Sequence, residues 1–311
     1  MPDLTPSEGG KIRFPAPKKR ENKANPVIQI SLVLFMLLIR LELKYTYFCV
    51  MLKTLTHRNS LISYSVHGKG NCVVLLHGFL ENKSIWNDLI AILQRRYKII
   101  AIDLPGHGSS ECLGYVHTME DMAGVVQDVL KAERVRRCIF IGHSMGGYVS
   151  LAFTDVFPKN VKGLCLLNST AVHDSNQRKE FRDLAIRNAK KVYEKVVRIS
   201  VRNLFSEKNQ IEKKSEVEHI ISEAVKTPLQ GYIAAQEGMK LRPNREHVMK
   251  NASFHKLQIT GEKDEVIWIN DAKKEAKRTK TPLEILSGGH MSFIENPEEL
   301  NQILISFIRS C

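Results

Sequence analysis

The sequence predicts an α/β protein, built on a doubly wound, mostly parallel sheet with an inserted helical cap. Three observations carry this. Apolar runs at Val73–Leu76, Lys98–Ile102, Cys138–Ile141, Val161–Leu167, His255–Thr260 and Pro282–Leu286 alternate with helical patterns, as strands buried on both faces do. One strand-to-helix junction reads Gly142-His143-Ser144-Met145-Gly146. From about Ala171 to Lys250 the chain turns helical, charged and poor in strand signals, although core strands lie on either side. The 311 residues, 43% hydrophobic, suffice for one large core.

Met1–Pro26 is polar, with five prolines and the basic run Lys18-Lys19-Arg20, which predicts disorder. Val27–Ile39 is uncharged and largely apolar, then Arg40, Glu42 and Lys44 intervene before a second apolar patch at 45–52. Three readings compete here: a membrane anchor or interfacial helix through residues 27–52, a signal peptide, or a leader ahead of a native start at Met51. The charges cut the span short of the ~20 apolar residues a crossing helix needs, and no small-x-small cleavage site follows.

Lys53–His57 and Leu61–Val66 predict two strands around Arg58-Asn59-Ser60, and Gly68-Lys69-Gly70-Asn71 turns the chain into the Val73 strand. Asn82–Gln94 places Ile85, Trp86, Leu89, Ile90 and Leu93 on one helical stripe, with Trp86 read as packing. After the Lys98 strand, Asp103–Ser110 is a glycine-rich turn. Asp103 and His107 on it are read as structural, because a tight loop must satisfy its own amides. Thr118–Ala132 forms a helix with Met119, Met122, Val125, Val126 and Val129 inward, and Tyr148–Phe157 forms another. Thr227-Pro228 and Leu241-Arg242-Pro243-Asn244 break the cap into separate helices. Asp271–Arg278 and Glu298–Ile308 complete the helical set, the latter with Leu300, Ile303, Leu304 and Phe307 inward.

A serine hydroxyl becomes a useful nucleophile only when a histidine takes its proton and a carboxylate orients that histidine. Ser144 at the sharp turn is the candidate nucleophile, with flanking glycines leaving room for a strained backbone. Two later strands end in suitable partners: Gly261-Glu262-Lys263-Asp264 and Ser287-Gly288-Gly289-His290. Asp264 is the candidate acid and His290 the base, with Glu262 and Glu265 as alternative acids. Asn168, after the Val161 strand, carries no charge and so leaves the acid to the later loop. The oxyanion donors are predicted to be the backbone amides of Phe79 and Met145.

His77-Gly78-Phe79, Asp103-Leu104-Pro105-Gly106-His107-Gly108-Ser109, Gly142-His143-Ser144-Met145-Gly146-Gly147 and Gly289-His290 occur in this order from about Leu52 onward. With these motifs the chain resembles the α/β-hydrolase superfamily. The resemblance implies the fold and the Ser144, Asp264, His290 triad, and a structural role for His77. It implies no substrate. Serine at the elbow separates the chain from the similar haloalkane dehalogenases and epoxide hydrolases, which use aspartate there. The Gly78-Phe79-Leu80 and Asp103–Ser110 segments also resemble 2-succinyl-6-hydroxy-2,4-cyclohexadiene-1-carboxylate synthase, a proton-abstracting lyase. That family carries an arginine after the elbow glycines, where this chain has Tyr148.

The expected function is therefore a serine hydrolase cleaving a carboxylic ester or related acyl substrate through an acyl-enzyme. The alternatives are the lyase and a non-catalytic ligand-binding protein on the same fold. No cofactor or metal is expected, since the six cysteines show no metal-ligand spacing; their placement in buried strands suits a reducing, cytoplasmic setting. A formal charge of +13 raises nucleic acid as a partner, but no recognition motif accompanies it, so the expected partner is a small acyl molecule. The cap carries a basic excess of about six side chains, read mainly as solvated helix surface. The expected organisation is a leader at 1–50, hydrolase core at 51–170, cap at 171–250 and core again at 251–311.

Overall fold

The computed structural model describes residues 51–311. The anchor, signal and leader readings of residues 1–50 lie outside the described residues; Met51 and Leu52 belong to the first strand.

Strands β1 (Met51–His57) and β2 (Ser60–His67) form a hairpin whose turn residues Arg58 and Asn59 have φ of 47° and 70°. Both central residues are thus left-handed, which matches the twist of a tight hairpin. The chain then alternates strand and helix: β3 (Cys72–Leu76), a 3-10 turn at Lys83–Trp86 running into α1 (Asn87–Leu93), β4 (Lys98–Ile102), α2 (Met119–Ala132), β5 (Cys138–His143), α3 (Met145–Val156) and β6 (Val161–Leu167). Asn82 caps the 3-10 turn by accepting from the Ser84 amide, and Thr118 caps α2 by accepting from the Asp121 amide at 3.0 Å.

Five helices intervene before the sheet resumes: α4 (Asn176–Arg202), α5 (Glu207–Glu212), α6 (Lys214–Ala224), α7 (Leu229–Leu241) and α8 (Glu246–Lys250). They form the inserted cap. The two ends of the insertion meet, as the Arg245 amide donates to the Ala171 carbonyl at 2.8 Å. The chain closes with β7 (His255–Gly261), α9 (Ile269–Thr279), β8 (Leu283–Leu286), α10 (Ser292–Glu295) and α11 (Pro297–Ser310).

The eight strands run in the order β1-β2-β4-β3-β5-β6-β7-β8. Among the described residues only the β1–β2 and β2–β4 pairs are antiparallel. Strand alternation divides the core in two. Val74, Leu76, Ile100, Phe140 and Leu164 pack with α2 and α3 on one face, while Val73, Leu75, Ile99, Ile141 and Cys165 pack with α1 and α11 on the other. This is why the central strands β3 and β5 read as apolar runs: neither face meets water there, whereas the edge strand β8 leaves Glu284 and Ile285 exposed.

A third apolar cluster belongs to the cap. Val197 and Val201 of α4, Ile221 of α6 and Tyr232 of α7 are buried together with Leu80 and Met291. Those last two stand on loops at the C-terminal ends of β3 and β8, so the cap is seated over that edge of the sheet. Helix α4 breaks at Val192, where φ is −142° and ψ 58°, letting its two halves pack in different directions. Among the described residues no helix is long and apolar enough to cross a membrane.

Candidate active site

The chain reverses at Ser144, which has φ 49° and ψ −114°. An L-residue pays strain in that conformation, and it persists here because its surroundings fix it. The Ser144 amide donates to the Leu167 carbonyl at 2.9 Å, while its carbonyl accepts from Ser169 Oγ at 2.8 Å and from the Gly147 amide at 3.0 Å. The glycines answer a steric demand. A Cβ on Gly142 would come within 2.5 Å of the Gly146 carbonyl, and one on Gly146 within 2.2 Å of the Leu76 carbonyl oxygen. Helix α3 therefore begins at once, at Met145 rather than at Tyr148, and packs tightly over β3. Every residue from Cys138 to Thr154 is buried except Ser144, which is part exposed.

His290 Nε2 lies 2.9 Å from Ser144 Oγ, and His290 Nδ1 lies 2.8 Å from Asp264 Oδ2. Asp264 is buried but well supplied with donors. Oδ1 accepts from the amides of Val266 and Ile267, both at 2.8 Å, and Oδ2 also accepts from Asn168 Nδ2 at 2.9 Å. Burial alone would push this carboxyl up; the charge and hydrogen bond of His290, with the amide donors, outweigh it and hold the group below its ordinary 3.8. An ionised Asp264 can only accept, which places the ring proton on Nδ1 and leaves the Nε2 lone pair facing the serine hydroxyl. Glu262 and Glu265, the alternative acids, are exposed.

The proposed oxyanion donors stand at two different loops. Phe79 follows β3 and borders the cavity at Ser144, and its amide makes no hydrogen bond among the described residues. Met145 is the first residue of α3, so its amide has no earlier turn to bond to. The neighbouring Gly78 amide is occupied by Glu81 Oε2 at 2.6 Å.

Other polar residues singled out in the sequence sit elsewhere. His77 uses both ring nitrogens locally, accepting from the Leu104 amide at 2.9 Å and donating to the Gly78 carbonyl at 2.7 Å. Asp103 accepts from Lys83 Nζ at 2.5 Å and from the Lys83 and Ser109 amides, binding its own loop together. His107 donates to the Pro105 carbonyl at 3.1 Å and does not pair with Asp103.

The sequence reading missed the support behind this line of residues. His143 Nδ1 is 3.0 Å from Glu81 Oε2, and its Nε2 is 2.9 Å from the His290 carbonyl oxygen. With both ring nitrogens facing oxygens, His143 is a double donor and therefore a cation. One buried pair thus ties the Phe79 loop, the elbow and the His290 loop. Asn168, read only as an uncharged position, orients Asp264 and also donates to the Gly289 carbonyl at 3.2 Å. Glu295 accepts from the Gly289 amide at 2.9 Å, from Ser206 Oγ at 2.7 Å and from Asn209 Nδ2 at 2.6 Å, joining the histidine loop to the cap.

The Glu81–His143 pair gives a pH signature. Burial lowers His143, but the Glu81 charge and hydrogen bond raise it above its ordinary 6.5. Burial raises Glu81, but His143 brings it below its ordinary 4.5. The raised histidine contributes stability below pH 6.5 that fades as pH climbs through its folded value; the lowered glutamate contributes above pH 4.5 and fades as pH falls. The difference in Tm between wild type and Glu81→Gln should therefore be greatest between pH 4.5 and 6.5. There it should correspond to about 3 kcal/mol, the scale of breaking a buried ion pair. Thermal melts of both proteins across pH check this, and a gap that does not change with pH would mean that the pair is uncharged.

A cavity of about 100 Å³ opens at Ser144 and His290, lined also by Phe79, Tyr148 and the cap residues Arg182 and Leu204. A larger one of about 500 Å³ lies beside Phe181, Trp268 and Glu275 and does not include Ser144. Of these two, the smaller exposes the serine and the histidine together, which makes it the candidate site. Among the described residues no three His, Cys, Asp or Glu side chains converge as metal ligands.

A family model described as alpha/beta hydrolase fold matches residues 71–297, well over half of the chain. The chain belongs to the α/β-hydrolase family. An uncharacterised protein of Mycobacterium tuberculosis is 33% identical over 110 residues, 35% of this chain and 32% of that protein. The chain therefore spans about a third of the length of the first curated relatives that it matches. A 3-oxoadipate enol-lactonase from Acinetobacter baylyi is 25% identical over 252 residues, covering 80% of this chain and 93% of that enzyme. Among solved structures, a thermophilic esterase from Thermogutta terrifontis superposes with a TM-score of 0.78 at 24% identity, covering 84% of this chain and 98% of the other. At that identity the likeness speaks to the fold.

Proposed function

We propose that this α/β-hydrolase is a serine hydrolase that cleaves a carboxylic ester, lactone or related acyl compound. The observation that carries the reading is the continuous line from Ser144 Oγ through His290 to Asp264, with contacts of 2.9 and 2.8 Å. Esterase and enol-lactonase relatives support it.

In this mechanism Ser144 Oγ attacks the carbonyl carbon while its proton passes to His290 Nε2. The carbonyl oxygen becomes an oxyanion, which the Phe79 and Met145 amides receive. Collapse expels the alcohol, which takes the proton from His290 and leaves an acyl-serine. Water then attacks the acyl carbon, giving a proton to the same nitrogen. Release of the acid returns that proton to Ser144. Asp264 stays ionised throughout, holding the imidazole in its tautomer and stabilising its cationic form. The cap excludes bulk water and shapes the acyl site.

Labelling with a fluorophosphonate probe, followed by turnover of a panel of acyl esters, tests the reading. Covalent labelling at Ser144 together with turnover is expected. Labelling without turnover of any ester would sink ester hydrolysis in favour of proton-abstracting lyase chemistry, and no labelling would favour a binding protein.

A further inference from the structure

The wall of the cavity at Ser144 holds a charge cluster with two guanidinium groups to one carboxylate. Asp174, fully buried, lies between two guanidinium groups, 2.6 Å from Arg182 Nε and 2.8 Å from Arg242 Nη1. One carboxylate balances one of them. Glu81 on the same wall is already paired with His143, and the Asp264 carboxylate is turned to the His290 ring. The cluster of Asp174, Arg182 and Arg242 by itself therefore carries one excess positive charge.

The surroundings decide which arginine carries it toward a ligand. Arg242 has a side chain only 3% exposed, donates to the Met239 and Val172 carbonyls and stacks 3.9 Å above the Tyr148 ring. It is a packing element. Arg182, from cap helix α4, is 14% exposed and borders the cavity directly. Its Nε serves Asp174 and its Nη1 donates to Gln236 Oε1 at 2.7 Å, whereas Nη2 has no partner among the described residues. Ser200, on the same helix and the same wall, also has a hydroxyl without a partner among the described residues.

We propose that Arg182 makes this a site for short esters or lactones that carry a carboxylate besides the scissile acyl group. The proposal rests on the serine-hydrolase reading and deepens it. A purely apolar acyl chain filling the cavity would desolvate Arg182 without giving its free N–H groups an acceptor, an unfavourable exchange. A carboxylate neutralises the excess of that cluster and accepts charge-assisted hydrogen bonds from Arg182 Nη2 and from Ser200 Oγ. The cavity volume of about 100 Å³ limits the spacer between carboxylate and reacting carbonyl to a short one.

The test compares mono-4-nitrophenyl succinate with its neutral methyl ester on the full-length protein. Wild type should prefer the free carboxylate in kcat/KM by on the order of 10- to 100-fold, the scale of one charge-assisted contact. Arg182→Gln should erase most of that ratio, and Arg182→Lys should restore part of it. A general structural role would lower both substrates equally and leave the ratio unchanged, which would overturn the proposal, as would a wild-type ratio near one. A second measurement covers the case of a poorly folding variant. Glutarate should protect wild-type Ser144 from fluorophosphonate labelling and neutral dimethyl glutarate should not; equal protection by both, or by neither, would also overturn the proposal. If Ser144 is not labelled at all, the hydrolase reading fails and takes this one with it; labelling with no carboxylate preference removes this proposal alone.

Discussion

Ser144→Ala is expected to remove ester turnover, lowering kcat by roughly 10^4- to 10^6-fold while the fold survives. The size follows from the geometry. The hydroxyl is the one reactive group at the elbow, it faces His290 Nε2 at 2.9 Å, and nothing nearby replaces it as a nucleophile: Ser169 Oγ donates to the Ser144 carbonyl and Ser200 lies across the cavity on the cap. The substitution removes one atom from a part-exposed side chain and opens no core cavity. The backbone that holds the strained φ of 49° is anchored by bonds to Leu167, Gly147 and Ser169, none of which involves Oγ of residue 144. Steady-state kinetics beside a thermal melt checks both halves, and a variant with near-native turnover would remove Ser144 from the mechanism.

Asp264→Asn should cost about 10^4-fold in kcat, for a reason specific to this loop. The Val266 and Ile267 amides both point at Oδ1, so an asparagine must turn its carbonyl oxygen toward them. That forces its NH2 group into the Oδ2 position, facing His290 Nδ1. The imidazole then accepts at Nδ1 and carries its proton on Nε2, where it cannot take one from Ser144. Asn168 aggravates the conflict, because its own NH2 points at the same place. Exposed Glu262 provides the control: Glu262→Gln should leave kcat within about twofold, as surface changes away from such features do. The opposite ranking of the two variants would mean that the acid is misassigned.

Much of this was legible in the sequence because the fold's grammar is local. Strands buried on both faces are predominantly apolar, so the runs of β3 to β6 could be read from composition alone. The elbow glycines record a collision with backbone that any side chain would suffer. Boundaries were read less well where packing overrode propensity. Helix α3 starts at Met145 despite two glycines, and the Asn82–Gln94 stripe resolves into a 3-10 turn and a short helix. His77, Asp103 and His107 were read as structural, and each bonds within these loops: residue types suited to catalysis that the fold spends on backbone groups and Lys83.

By itself the sequence determined the α/β architecture, the inserted cap and the identity of the candidate serine, histidine and acid, because each rests on a residue type at a fixed place relative to a strand end. The tertiary structure alone decided which side chains stand behind them. Glu81 meets His143 across 62 positions, Asn168 meets Asp264 across 96, and Arg182 reaches the wall beside Ser144 from an insertion. Those meetings depend on the parallel strand order and on where the cap's apolar cluster seats it. Long-range contacts of that kind leave no periodicity in the chain, since the partner of each residue is set by the packing of elements and not by spacing along the sequence.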